Sequence, residues 1–142
     1  MKKNRVSAVA HILDVEGGFT NHDADKGGPT KYGITLAALS RHLRYSATIK
    51  ELRELGIDDT ETIYVKDYWE PARCNELPAG VDLMHFDAAV HAGQGQAAKW
   101  LQRAINAEDM KRKHLLEDGV LGSRTLEGAA ACSSVNLVRR VA

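Results

Sequence analysis

Apolar positions recur at helical spacing along most of the 142 residues. Val6, Val9, Ala10 and Leu13 follow the i, i+3, i+4, i+7 rule of an amphipathic helix, which Glu16 closes and Gly17 and Gly18 stop. Thr35 is predicted to cap a helix bearing Leu36, Leu39 and Leu43. Thr48 and Glu51 have the spacing of a capping box ahead of Leu52 and Leu55. Thr60 is expected to open a helix through Ile63, Tyr64 and Tyr68, which Pro71 stops. The run from Val81 to Ala92 is apolar nearly all round and predicts the central buried helix, ended by Gly93. Ala97, Trp100, Leu101, Ala104 and Ile105 form a further stripe, which assigns Trp100 to the core. Asp118-Gly119 signals a turn, and short helices are expected from Ser123 and from Ser134. With no internal repeat and no low-complexity linker, the fold class is mainly α.

Composition narrows the partners more than the fold. The length suits one domain, or one domain with a small appendage, and 44% hydrophobic residues can bury a core. Net charge is zero, with 11 basic and 13 acidic residues up to Asp82 and 8 and 6 after it. No broad basic face argues for nucleic acid. Cys74 and Cys132 lack metal-type spacing and read as free or semi-buried thiols of a protein made in a reducing cytoplasm. The basic start MKKNR is followed by a stretch broken by His11 and Asp14, unlike a signal peptide. No stretch is long enough to span a membrane. A soluble monomer without membrane insertion is expected.

The candidate chemistry lies at the end of the first helix. Glu16 faces the negative end of the helix macrodipole, which favours the protonated carboxyl; burial in a cleft would favour it further. A protonated glutamate beside a polar loop is what a general acid requires. The segment EGGFTNHDADKGGPTKYGIT then holds five glycines, three acidic residues, Asn21, His22 and two aromatic rings. Phe19-Thr20 and Lys31-Tyr32-Gly33-Ile34 are short enough to be two strands of a small hairpin, from which Asp25 and Thr30 would project toward Glu16. Two carboxyl groups with a hydroxyl suit glycoside hydrolysis. Asp25, in a polar loop, is expected to stay ionised while Glu16 stays protonated. It would orient or activate a water, or stabilise the oxocarbenium-like charge, with Thr30 holding the water. A gap of about 6.5–9.5 Å between the carboxyls would leave room for that water and favour inversion. The plainer role for Asp25 is to cap a turn beside Gly27.

Other side chains carry weaker signals. Asn21, Asp23 and Asp25 alternate like the start of a calcium loop. However, Lys26 stands where glycine is needed and Tyr32 where the bidentate glutamate belongs. No metal and no cofactor is expected. His85 reads as a satisfied core residue. His91, next to the Gly93 helix end, is a candidate substrate contact with Asn21 and Tyr32. Tyr68 and Trp69 read as core rings. Lys111-Arg112-Lys113-His114 reads as a solvated loop.

These motifs resemble glycoside hydrolase family 108, the N-acetylmuramidases of phages, prophages and bacteria. The likeness runs through EGGF, the aspartate of DADKGG, the threonine of GGPT, and YGIT. It continues through YVKDYWEPARCNELPAGVD and FDAAVHAG, then QAAKWLQRAIN and DGVLGSRTLEG. The order Glu16, Asp25, Thr30 across a helix end and a hairpin is similar to that of phage-type lysozymes. The chain departs at His22, where an acidic residue is common, at His91, where asparagine is expected, and at Ser123, which replaces a proline. The resemblance implies a lysozyme-like helical fold with a small β-hairpin after the first helix. It implies a muramidase region over 1–83 and a helical peptidoglycan-binding region over 84–142 packed on it. It also implies cleavage of the β-1,4 bond after N-acetylmuramic acid, with catalytic Glu16, Asp25 and Thr30. A protein made without a signal would reach the wall through a holin-type pore and lyse the cell. The alternatives are a non-catalytic wall-binding or secretion-associated protein, and a lytic transglycosylase.

Overall fold

The computed structural model of the chain describes residues 2–21, 28–111 and 114–141. It forms two compact units, Val9–Asp67 and Met1–Ala8 with Tyr68–Ala142. Helix α1 (Lys2–Glu16) contributes residues to both. Its buried stripe is Ala8, Val9 and Ile12. Val6 is 69% exposed and Ala10 is also exposed, which corrects the expected phase of the helix. Apolar residues lie on more than one side of α1, so periodicity gives the helix but not its inner face.

In the Val9–Asp67 unit, the chain passes from α1 into a short ribbon. Strands β1 (Thr30–Lys31) and β2 (Ile34–Thr35) pair antiparallel, Thr30 opposite Thr35 and Lys31 opposite Ile34. The four residues expected to make one strand are therefore two strand ends and a turn. Tyr32 (φ 51°) and Gly33 (φ 79°) form that two-residue turn. Positive φ at both positions gives the twist that a tight hairpin requires. Phe19-Thr20 forms no full strand, but Thr20 bridges Thr30 with two backbone hydrogen bonds of 2.8 Å.

Helix α2 (Leu36–Leu43) starts where Thr35 accepts a hydrogen bond from the Ala38 N–H at 3.0 Å. Helix α3 (Ile49–Arg53) starts with the Thr48–Glu51 capping box. Both starts match the sequence reading. Helix α4 (Ile57–Tyr64) begins three residues before the expected Thr60. Asp58 and Asp59 sit in its first turn, where the macrodipole favours negative charge. Buried Thr60 instead donates its hydroxyl to the Gly56 carbonyl at 2.7 Å. After Tyr64 the helix widens into a π turn over Val65–Trp69 and ends before Pro71. Ile34, Leu39, Leu52, Leu55, Ile63 and Tyr64 are buried in this unit.

The other unit is built on α5 (Val81–Ala92), α6 (Gln94–Glu108), α7 (Ser123–Ala131) and α8 (Ser134–Val141). Leu77, Val81, Leu101, Ala104, Ile105, Ala129 and Leu137 form its core. Trp69 and Phe86 add an edge-on ring pair with centroids 5.2 Å apart. Trp69 Nε1 donates to Asn75 Oδ1 at 2.9 Å, satisfying its one donor. Two amide side chains fasten the loop before α7. Gln102 Nε2 donates to Asp118 Oδ1, the Val120 carbonyl and Thr125 Oγ1. Asn106 exchanges two hydrogen bonds with the Leu115 backbone. Trp100 departs from its expected core role: it is 36% exposed. No described helix is long and apolar enough to cross a membrane.

Cys74 is buried, Cys132 is half-buried and neither is in a disulfide. Burial pushes the Cys74 thiol up to about 12, which removes thiolate reactivity. His85 is buried as expected, but its Nδ1 has no hydrogen-bond partner among the described residues, so it is not the satisfied imidazole anticipated. Burial pushes it down from 6.5 to about 4. The native state therefore resists a proton that the unfolded chain accepts below pH 6.5. Stability should be full above that pH and fall as pH drops toward 4, by on the order of 3 kcal/mol. Thermal melts of wild type and His85→Gln across this range check it. The variant should show a flatter pH dependence, whatever its midpoint at pH 7.

Candidate active site

Glu16 is the last residue of α1, and no basic residue occupies that final turn. Gly17 follows at φ 69° and donates its N–H to the Leu13 carbonyl at 3.3 Å. That left-handed step is the usual way to end a helix and turn the chain sharply. It leaves the Glu16 carboxyl at an exposed helix end. The burial anticipated for the acid is therefore missing from the chain alone.

The ribbon supplies what stands beside it. The strand register and the bridge put Thr20, Thr30 and Thr35 in one row. Directly opposed residues on adjacent strands share a face. Thr35 is committed to capping α2, whereas the Thr20 and Thr30 hydroxyls meet at 2.9 Å in an exposed pair. Thr30 thus presents its hydroxyl with a partner that the sequence reading missed. The signal was the bridge partner of Thr30, which cannot be assigned without the register. Gly33 closes the geometry from below. A Cβ there would lie 2.9 Å from Glu16 Cγ and 2.7 Å from Tyr64 Oη. The Glu16 stem therefore rests on the glycine face of the turn.

Two cations flank the ribbon. Lys31 Nζ donates to the Arg53 carbonyl at 2.5 Å and lies 5.6 Å from the Tyr32 ring centroid. The Arg53 guanidinium stands 4.9 Å from the Phe19 ring centroid. Both contacts are of cation–π type, and both rings remain partly open. Asn21 is exposed at the end of the described ribbon. Asp25 and His22 lie outside the described residues, as do Asp23 and Lys26 of the calcium-like pattern. His91 belongs to the other unit, exposed on the last turn of α5, with Nδ1 2.9 Å from the Asp87 carbonyl.

Elsewhere in this unit lies a hollow of about 300 Å³ with a different character. Leu39, Leu55 and Ile63 floor it, and Glu51, Glu54 and Asp59 line it. At its edge His42 Nδ1 contacts Asp67 Oδ2 at 2.9 Å. Hydrogen bonds from Thr48 and Tyr45 hold the Glu51 carboxyl below its ordinary value, so it carries charge. Such a wall repels anionic polymers. The Glu16 ribbon carries cations and open rings, and suits them.

Residues 9–93 match the family model described as glycosyl hydrolase 108. The chain belongs to that family. Among solved structures, Brucella abortus SagA is similar, with 31% identity and a TM-score of 0.88 over 99% of this chain and 76% of that one. No curated protein matches. The architecture is the lysozyme-like helical fold with its small hairpin after α1. Membership of family 108 makes peptidoglycan the substrate and glycoside hydrolysis the chemistry at family level. In this family 108 chain, the Glu16 stem rests on Gly33 of the ribbon, and strand β1 of the same ribbon carries Thr30, whose hydroxyl meets that of Thr20.

The hydroxyl pair makes a testable demand. Thr20→Val keeps the backbone bridge, which uses main-chain groups alone, and removes the contact to Thr30. Its melting temperature should fall by no more than a few degrees, while peptidoglycan clearance falls as far as in Thr30→Val. A wild-type clearance rate in Thr20→Val, with Thr30→Val inactive, would show that the pair is dispensable.

Proposed function

We infer that this chain is an N-acetylmuramidase that cleaves the β-1,4 bond between N-acetylmuramic acid and N-acetylglucosamine, with Glu16 as general acid. The observation that carries this reading is a carboxyl at an exposed helix end whose stem rests on Gly33, in the turn of the ribbon that also carries Thr30. A glycan strand is a polymer and cannot enter a closed cavity, so its acid must stand on an open surface. Glu16 gives its proton to the leaving oxygen as the glycosidic bond breaks. Asp25 activates or orients the incoming water, or stabilises the sugar cation, and Thr30 holds that water. Asn21 and Tyr32 are the candidate sugar contacts of the ribbon, and His91 is a separate candidate contact on the other unit. The open faces of Phe19 and Tyr32 offer stacking surfaces, and Lys31 and Arg53 favour the carboxylates that peptidoglycan carries.

The region from Met84 onward takes the wall-recognition role in this reading. Trp100, Arg103, Ala104, Ala107, Arg140 and Val141 line a hollow of about 440 Å³ between α6 and α8. Arg103 Nε contacts Glu117 at 3.1 Å and Arg140 Nε contacts Glu108 at 2.9 Å. Both pairs leave guanidinium N–H groups for a ligand, next to an aromatic face. The protein acts on the cell wall, and lysis follows when it gains access from the cytoplasm through a holin-type pore.

Glu16→Gln fills the same space and cannot donate a proton. It should keep its fold and its binding to insoluble peptidoglycan, and lose about 10²–10⁴-fold in rate. Clearance at the wild-type rate would remove Glu16 from the mechanism. Asp25→Asn should lose activity with an unchanged melting temperature; a loss that only tracks stability would reduce Asp25 to a turn cap. Mass spectrometry of the wild-type products decides the reaction class, since reducing muramic ends mark hydrolysis and anhydro ends mark a transglycosylase. Trp100→Ala should weaken co-sedimentation with peptidoglycan by about fivefold, an aromatic contact being worth on the order of 1 kcal/mol. Unchanged co-sedimentation would assign wall recognition elsewhere.

A further inference from the structure

Tyr64 is the last residue of α4 and is 1% exposed. Nothing about a buried tyrosine in a helix marks it for chemistry, yet its hydroxyl leaves the core and donates to the Tyr32 carbonyl at 2.5 Å. The acceptor belongs to the first residue of the hairpin turn, held at φ 51°. The next residue is Gly33, and both the Tyr64 hydroxyl and the Glu16 stem press on it. A Cβ at Gly33 would stand 2.7 Å from the phenol oxygen, 2.9 Å from Glu16 Cγ and 3.2 Å from Glu16 Cβ. No real Cβ tolerates the first two distances, so the glycine backbone is gripped between two side chains.

The chain after Tyr64 fits this role. Regular α-helix ends there and a π turn over Val65–Trp69 takes over. Such wide turns occur often at functional sites, where they redirect a side chain. The Tyr64 ring is fixed by the core, its hydroxyl fixes the turn, and the turn fixes the acid.

We propose that Tyr64 is a positioning residue for Glu16, acting through the Tyr32–Gly33 turn. This rests on the reading of Glu16 as the general acid. An acid placed by a helix end alone swings through several rotamers. Resting its stem on a clamped glycine restricts where the carboxyl can sit. Misplacement of a catalytic group by about 1 Å costs about 10²-fold, so a clamp of this kind bears on kcat more than on substrate binding.

The test is Tyr64→Phe, which keeps the ring and deletes the hydroxyl, with Gly33→Ala as the second variant. Tyr64→Phe should lower kcat about 10- to 100-fold with KM within about twofold, once the folded fraction is accounted for. Gly33→Ala must move either the phenol or the Glu16 stem and should lose at least as much. A second readout needs no turnover: the carbon-13 side-chain carboxyl resonance of Glu16, identified as the signal absent from Glu16→Gln. In Tyr64→Phe it should shift and broaden, while distant carboxyl signals stay unchanged. A merely structural tyrosine would lower the melting temperature and leave both the folded enzyme's kcat and that resonance as in wild type; this result would overturn the proposal. If Glu16→Gln retained full activity, the catalytic reading would fail on its own. The carboxyl resonance would still report whether Tyr64 holds Glu16.

Discussion

The absence of a side chain at Gly33 is the constraint on which the site depends. Two unrelated elements, the end of α1 and the end of α4, bring side chains to the same face of one residue. Any larger residue would push the Glu16 stem or the Tyr64 hydroxyl away. The same residue has φ 79°, which L side chains adopt only with strain. Glycine is thus required twice there, once for the turn and once for the contact. The turn in turn sets the β1–β2 register, which puts Thr30 between Thr20 and Thr35.

Local signals were legible where the physics is local. Thr35 as a cap, the Thr48–Glu51 box, the stop at Gly17 and the full span of α5 all depend on residues within one turn of each other. The chain end of α1 was readable for the same reason, and with it the position of Glu16. The Tyr32–Gly33 turn was not. A tyrosine in the left-handed region carries no turn signature, since Asn-Gly or Asp-Gly is the usual pair. Its conformation is imposed from outside, by a hydroxyl 32 residues away in sequence.

The other misses share that cause. Trp100 lies on the border of the α6 stripe, and whether such a residue is covered depends on α8, which begins at Ser134. Periodicity counts Trp100 as apolar and cannot see where its neighbour stops. His85 was read correctly as buried, yet its missing partner is a property of its packed surroundings rather than of its own helix. Thr20 was seen only as a strand residue. It became part of the site through a bridge whose register the sequence does not state.

The proposed role of Glu16 as general acid poses a physical question. Glu16 is exposed in the chain alone. For a polymer substrate the missing desolvation need not be built in. On the proposed role of Glu16, a glycan strand laid across the end of α1 would itself exclude water from the carboxyl as it binds. The protein then has to supply position rather than burial: a helix that ends at the acid, a turn for its stem to rest on, and a hydroxyl pair at hand. Those are the features the described residues possess. On this argument the open ribbon is not an incomplete pocket. It is half of one, and the substrate contributes the other half.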